Sequence, residues 1–140
     1  MKKLPKSGNP ETGKLVFQRA CALCHRIGID GHKVGPDLNG LSHRSVEDLL
    51  SHIIDPNMAI NPNYVSCVVE TIDNTVQSGL LSEENEQLIA LTLPGGLKQQ
   101  IKRESIKRME VLPTSLMPEG MEQAISPLEM RSLIDYLQQK

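Results

Sequence analysis

The chain has 140 residues, enough for one packed domain or for one domain carrying a substantial insertion, and too few for two independent domains of ordinary size. Fifteen Lys and Arg against seventeen Asp and Glu leave a formal charge of −2, without the basic footprint of a nucleic-acid binder and without an acidic tail. With one Phe, two Tyr and no Trp, the core must be filled by Leu, Ile, Val and Met, or completed by a large apolar group that is not protein.

The opening stretch MKKLPKSGNP has the basic residues of a signal peptide but no apolar segment after them, and no apolar run in the chain reaches the roughly 18 residues of a membrane helix. An exported chain would have lost its signal or carried it upstream in a longer parent. NPETGKLVFQRACALC reads as a first helix, with Asn9 as N-cap, Pro10 at the first helical position and Glu11 at the positive helix end. Leu15 and Val16, with Gly13, Phe17 and Ala20, are its expected apolar stripe. IGIDGHKVGPDLNGLSHR has four glycines and no period and reads as a long loop that wraps something. SVEDLLSHIIDP reads as a second helix, capped by Ser45 with Asp48 as a weak capping-box partner, buried through Leu49, Leu50, Ile53 and Ile54, and stopped by Pro56.

From about residue 64 the period changes to two. YVSCVVETIDNTVQSGLL, EQLIALTL, LKQQIKRESI and KRMEVL are separated by DN, SEEN and PGG turn signals, which predicts an antiparallel sheet of four or five strands over residues 64–112. Lys98, Lys102, Arg103, Lys107 and Arg108 crowd one part of it and Glu83, Glu84 and Glu86 another; they read as solvated faces, with a docking patch for a charged partner as the alternative. SPLEMRSLIDYLQQK is a third helix, capped by Ser126, with Leu128, Met130, Leu133, Ile134 and Leu137 as its apolar face.

Chemistry concentrates in ACALCHRIG, where Cys21, Cys24 and His25 fall within five positions. A structural zinc site needs four ligands; C-x-x-C supplies two, His25 is too close to Cys24 to complete the tetrahedron, and Cys67 sits alone in an expected strand. A reactive dithiol wants a helix N-terminus after a strand, whereas this pair lies at the C-terminal end of a helix. C-x-x-C-H is also the haem c attachment signature, two thiols for two vinyl groups and a histidine to turn under the ring. The five positions alone favour this third reading without closing the other two.

The surroundings add more. Gly13 and Phe17 before CALCH, GPDLNGL at residues 35–41 after it, and Tyr136 in a terminal helix resemble the class I cytochrome c family over roughly residues 9–58 and 113–139. The resemblance implies close crossing of the N- and C-terminal helices, and a Pro36 carbonyl that accepts from Nδ1 of His25. It also implies an axial methionine in SLMPEGM, where Met117 precedes a proline. Met117 follows His25 by 92 residues, a separation that becomes 43 once the 49 residues 64–112 are left out. Over nearly the whole chain, including DPNMAINPNYVSCVVETIDNTVQSGLL, the pattern is similar to the haem-binding domain at the ends of large multidomain proteins of planctomycetes and their relatives.

These readings imply a mainly α cytochrome c fold with an inserted sheet: one domain, with a helical haem-binding core at about 9–63 and 113–139 and a β insertion at about 64–112. They imply one haem c held by Cys21 and Cys24, iron bound by His25 and Met117, and Pro36 and Arg44 as further cofactor-binding residues, Arg44 through a propionate. Met121 and Met58 read as packing and turn residues, with iron ligation as the lesser alternative; His32 reads as a surface residue, His43 as a lesser propionate partner beside Arg44, His52 as a surface residue with distal ligation as its alternative, and Cys67 as a small buried hydrophobe. The expected function is one-electron transfer without substrate chemistry, in a periplasmic or otherwise exported compartment. A redox protein or an adjacent domain is the expected partner, with a homodimer through the exposed edge of the insertion as an additional expectation. The alternative is a gas sensor or peroxidase-like enzyme with an open distal site.

Overall fold

Asn9 opens the first helix. Its Oδ1 accepts from the Glu11 N–H at 2.9 Å and Pro10 takes the first helical position, so α1 runs over Pro10–Ala20. The computed structural model describes residues 3–139; Met1 and Lys2 of the basic start, and Lys140 at the end of the third expected helix, lie outside them. The long loop that follows contains a short antiparallel ribbon, β1 (Arg26–Ile27) with β2 (Asp30–Gly31), and is otherwise irregular. Helix α2 (Val46–Ile54) is capped by Ser45, whose Oγ accepts from the Asp48 N–H at 3.1 Å. The box is not closed reciprocally, because the Asp48 carboxylate turns to Arg44 instead.

Five strands follow: β3 (Ser66–Thr71), β4 (Val76–Glu84), β5 (Leu88–Thr92), β6 (Lys98–Lys102) and, after a single 3-10 turn, β7 (Ile106–Val111). They form an antiparallel sheet in the order β6-β5-β4-β3-β7, so the last strand returns to pair with the first. Helix α3 (Pro127–Gln139) closes the chain. A full capping box starts it: Ser126 Oγ accepts from the Glu129 N–H at 3.2 Å and Glu129 Oε1 accepts from the Ser126 N–H at 3.0 Å.

Two separate cores result. Val16 and Phe17 of α1, Leu49 of α2 and Met130, Leu133, Ile134, Tyr136 and Leu137 of α3 form the first. Cys67, Val69, Ile89, Leu91 and Ile101 form the second, entirely within the sheet. The expectation of a mainly α fold is therefore corrected. Helices of 11, 9 and 13 residues stand against sheet strands of 6, 9, 5, 5 and 6, and the β segment has a buried core of its own. The alternating Val, Ile and Leu pattern was strong enough for a self-contained sheet, not just an appendage to a helical protein.

Smaller corrections have equally local causes. Leu15 and Leu128 are exposed, because at about 100° per residue each lies nearly opposite the stripe its helix buries. Helix α1 stops at Ala20, so the two cysteines belong to the turn beyond it. The basic and acidic runs of the sheet meet at one pair, Arg103 with Glu84 at 2.8 Å, while Lys107 pairs with Glu70 of β3 at 3.6 Å. Both sheet edges carry exposed cations, Lys98 and Lys102 on β6 and Lys107 and Arg108 on β7, a composition that discourages edge-to-edge pairing.

Candidate functional site

The crossing of α1 with α3 sets the site's frame. Phe17 and Tyr136 pack with ring centroids 5.8 Å apart, Arg19 pairs with Glu129 at 3.0 Å, and the Asn9 N–H donates to Ser132 Oγ at 3.0 Å. Helix α1 thereby delivers the Cys21–His25 turn to a fixed place. That turn is hydrogen-bonded to itself, with the N–H groups of Cys24 and His25 both donating to the Cys21 carbonyl, at 3.1 and 2.9 Å. The loop then wraps back, and the N–H groups of Val34 and Gly35 donate to the Cys24 carbonyl at 3.1 and 2.5 Å.

This wrap puts Pro36 beside His25, with Nδ1 2.7 Å from the Pro36 carbonyl oxygen. A carbonyl can only accept, so Nδ1 carries the hydrogen and Nε2 keeps its lone pair. Burial pushes the His25 pKa down, against the upward pull of the Pro36 bond, so the neutral ring that a metal requires is favoured. Gly35 lies against the same ring; a Cβ there would stand 3.0 Å from Cε1.

Cys21, Cys24, His25, Pro36, Arg44 and Met117 all line one cavity of about 470 Å³. Its remaining wall is mostly aliphatic, with Leu38, Leu41, Ile53, Leu133 and Leu137 among the contributors, and its volume is in the range of cofactor pockets. Arg44 Nε is bound to Asp48, which places the guanidinium at the rim rather than leaving it loose. Met117 is half-buried in the loop before α3, its N–H donating to Ser115 Oγ at 3.1 Å.

Tyr64 and Leu80, which sequence reasoning did not connect to the site, also line the cavity, as do His52 and Met121. His52 follows Asp48 by one helical turn, a spacing that was readable, whereas Leu80 comes from the sheet, and no local pattern says which strand face meets another part of the chain. Met58, His32 and His43 are exposed and outside the cavity lining. Cys67 is a free, fully buried thiol in the sheet core.

The two alternatives for the cysteines find no support. Among the described residues no group of three or more His, Cys, Asp and Glu could hold a metal ion, so a zinc tetrahedron has no ligand set. The Cys21 thiol is pushed up to about 11 by burial and by neighbouring Cys24, the reverse of a reactive dithiol.

Residues 10–91, more than half the chain, match the cytochrome c family. This chain belongs to the class I cytochrome c family. The cytochrome c domain is 45% identical over 47 residues to a "Cytochrome c-553-like" protein of Synechocystis sp., a match covering 34% of this chain and 41% of that protein. It is 47% identical over 38 residues to a "Cytochrome c" of Cannabis sativa, covering 26% of this chain and 34% of that one. The chain thus spans less than half the length of the curated relatives it matches. The family match stops short of Met117, so the place of that residue rests on the geometry of the cavity alone.

The family's cofactor is haem c, attached covalently. The residues present fit it. Apolar side chains that a helical core would normally seal, Ile53 of α2 and Leu38 and Leu41 of the loop, are only partly buried around the cavity. They lack the apolar mass that a flat macrocycle supplies. Gly35 keeps the ring of His25 uncrowded, and two free thiols and a thioether open into the same space.

Proposed function

We propose that this chain is a mono-haem electron-transfer domain, with the haem bonded to Cys21 and Cys24 and the iron held by Nε2 of His25 and the sulfur of Met117. The observation that supports it most is that both cysteines, His25 with Nδ1 tied to Pro36, and Met117 line a single cavity. Bound there, haem c supplies a one-electron ferric/ferrous couple. The chain's own residues hold and tune it. The Pro36 carbonyl orients His25 and makes Nε2 the better donor. The soft thioether of Met117 favours the ferrous state and raises the potential. Arg44, steadied by Asp48, offers its guanidinium to a haem propionate.

On this reading the domain performs no substrate chemistry and passes electrons to a redox protein or to an adjacent domain of a longer chain. Its compartment is periplasmic or otherwise exported. No helix among the described residues is long and apolar enough to cross a membrane. Residues 9–63 and 113–139 form the haem-binding core, into which residues 64–112 are inserted.

Spectra of the protein matured with haem test the assignment. A low-spin spectrum with a sulfur-to-iron charge-transfer band in the ferric form, lost in Met117→Ala, is the expected result. Covalent haem should be lost in the Cys21→Ala, Cys24→Ala double variant. The alternative, an open-iron gas sensor or peroxidase-like enzyme, has one observation in its favour: Arg44 and His52 line the same cavity. High-spin bands and rapid carbon monoxide binding in the unaltered protein would replace the electron-transfer reading with that one.

A further inference from the structure

The sheet meets the cysteine-bearing half of the chain in two places. Along β4, Leu80 and Leu81 face opposite sides. Leu81 packs into the sheet's own core, whereas Leu80, 6% exposed, lines the cavity that also holds His25 and Met117. The partners of Leu80 across the ladder, Ser66 on β3 and Thr92 on β5, are 4% and 7% exposed. An antiparallel sheet with one core face normally leaves its other face in water; here that other face is covered around Leu80, Ser66 and Thr92, while Val76 at the start of β4 stays exposed.

The second contact is at the turn between β5 and β6. The N–H of Gly95 has no strand partner and donates instead to the carbonyl of Leu23, between the two cysteines, at 2.7 Å. Gly96 adjoins the ring of His32, where a Cβ would stand 3.6 Å from Nδ1.

We propose that the sheet is a working wall of the haem cavity, Leu80 keeping water from the cofactor and Gly95 pinning the sheet to the attachment turn, so that the two together hold the reduction potential up. This rests on the reading that haem occupies the cavity. Ferric haem carries one more positive charge than ferrous haem, and a polar or wet wall stabilises the more charged state. A dry wall opposes oxidation. Leu80 is therefore a positioning residue contributed by a segment that carries none of the attachment chemistry.

Redox titration of the matured holoprotein tests this. Leu80→Asn should lower the potential, Leu80→Ile should recover most of the loss, and Val76→Asn, on the exposed start of the same strand, should leave the potential unchanged. Independently, the Gly95 amide should exchange slowly with deuterated solvent in the unaltered holoprotein, and faster in Leu80→Asn. A Leu80→Asn potential equal to that of the unaltered protein overturns the wall. So does a Gly95 amide that exchanges at the rate of a free turn, a result that stands even if Leu80→Asn fails to fold. If the unaltered protein takes up no haem on maturation, the haem reading itself fails, and that outcome is recognised before any potential is measured.

Discussion

Gly13 lies so close to Ser132 that no side chain fits between them: a Cβ on Gly13 would stand 1.9 Å from the Ser132 carbonyl oxygen. Helices α1 and α3 therefore cross backbone to backbone, and this contact fixes where α1 releases the Cys21–His25 turn. Gly13→Ala forces the helices apart against the Phe17 and Tyr136 packing. Overpacking of this kind costs about 1–3 kcal/mol. The urea midpoint of the holoprotein should fall accordingly, and an unchanged midpoint would mean that the crossing yields without cost.

Asn57 brackets the Met117 loop from outside. Its Oδ1 accepts from the Ser115 N–H at 2.6 Å and its Nδ2 donates to Glu119 Oε1 at 2.6 Å, one contact on each side of Met117. Asn57→Ala removes both, at roughly 1 kcal/mol each. A looser loop should weaken the sulfur-to-iron band and speed carbon monoxide binding in the ferrous protein. Glu119→Gln keeps an oxygen acceptor and should leave both readouts near those of the unaltered protein. Equal behaviour of the Asn57→Ala and Glu119→Gln variants would remove Asn57 from this role.

The capping box at α3 carries a pH signature. The Ser126 N–H, and after it the Arg19 guanidinium, hold the Glu129 carboxyl below its ordinary value of 4.5. A carboxylate more acidic in the folded than in the unfolded chain stabilises the fold above the unfolded value. That contribution shrinks as pH drops below about 4.5 and is gone once the folded value is passed. Denaturation midpoints at pH 7 and pH 3 should therefore differ more in the unaltered protein than in Glu129→Gln. Equal differences would show that the box contributes nothing through its charge.

That box was readable: Ser126 and Glu129 have the S-x-x-E spacing, and only the Arg19 contact from α1 needed the fold. Periodicity and caps placed the three helices and the β segment, because those signals depend on neighbours in sequence. Cys21, Cys24 and His25 were legible as a unit for the same reason. Leu80 was not: alternation tells that Leu80 and Leu81 face opposite ways, but not that both ways are buried. The PGG turn at residues 94–96 was legible as a turn, while its bond to Leu23 depends on how the sheet docks. The mainly α expectation failed on the same ground, since the weight of a second core depends on which strands close on one another.

Gly35 offers the sharpest test of how His25 is held. A Cβ at residue 35 would stand 3.0 Å from Cε1 and 3.3 Å from Nδ1, so Gly35→Ala crowds the imidazole, and the expected relief is a small tilt that lengthens its bond to the Pro36 carbonyl. Donation from Nδ1 to that carbonyl puts electron density on Nε2, and a more electron-rich ligand favours ferric iron. Weakening the bond therefore favours the ferrous state. Only the part of that weakening that differs between ferric and ferrous iron moves the potential, and a tenfold difference corresponds to about 59 mV for one electron. The Gly35→Ala potential should rise by up to about that amount, opposite in sign to the fall expected when the cavity wall is made polar at Leu80. A fall in the Gly35→Ala variant would mean that the added methyl admits water instead of tilting the ring, and the orienting role of Pro36 would have to be abandoned.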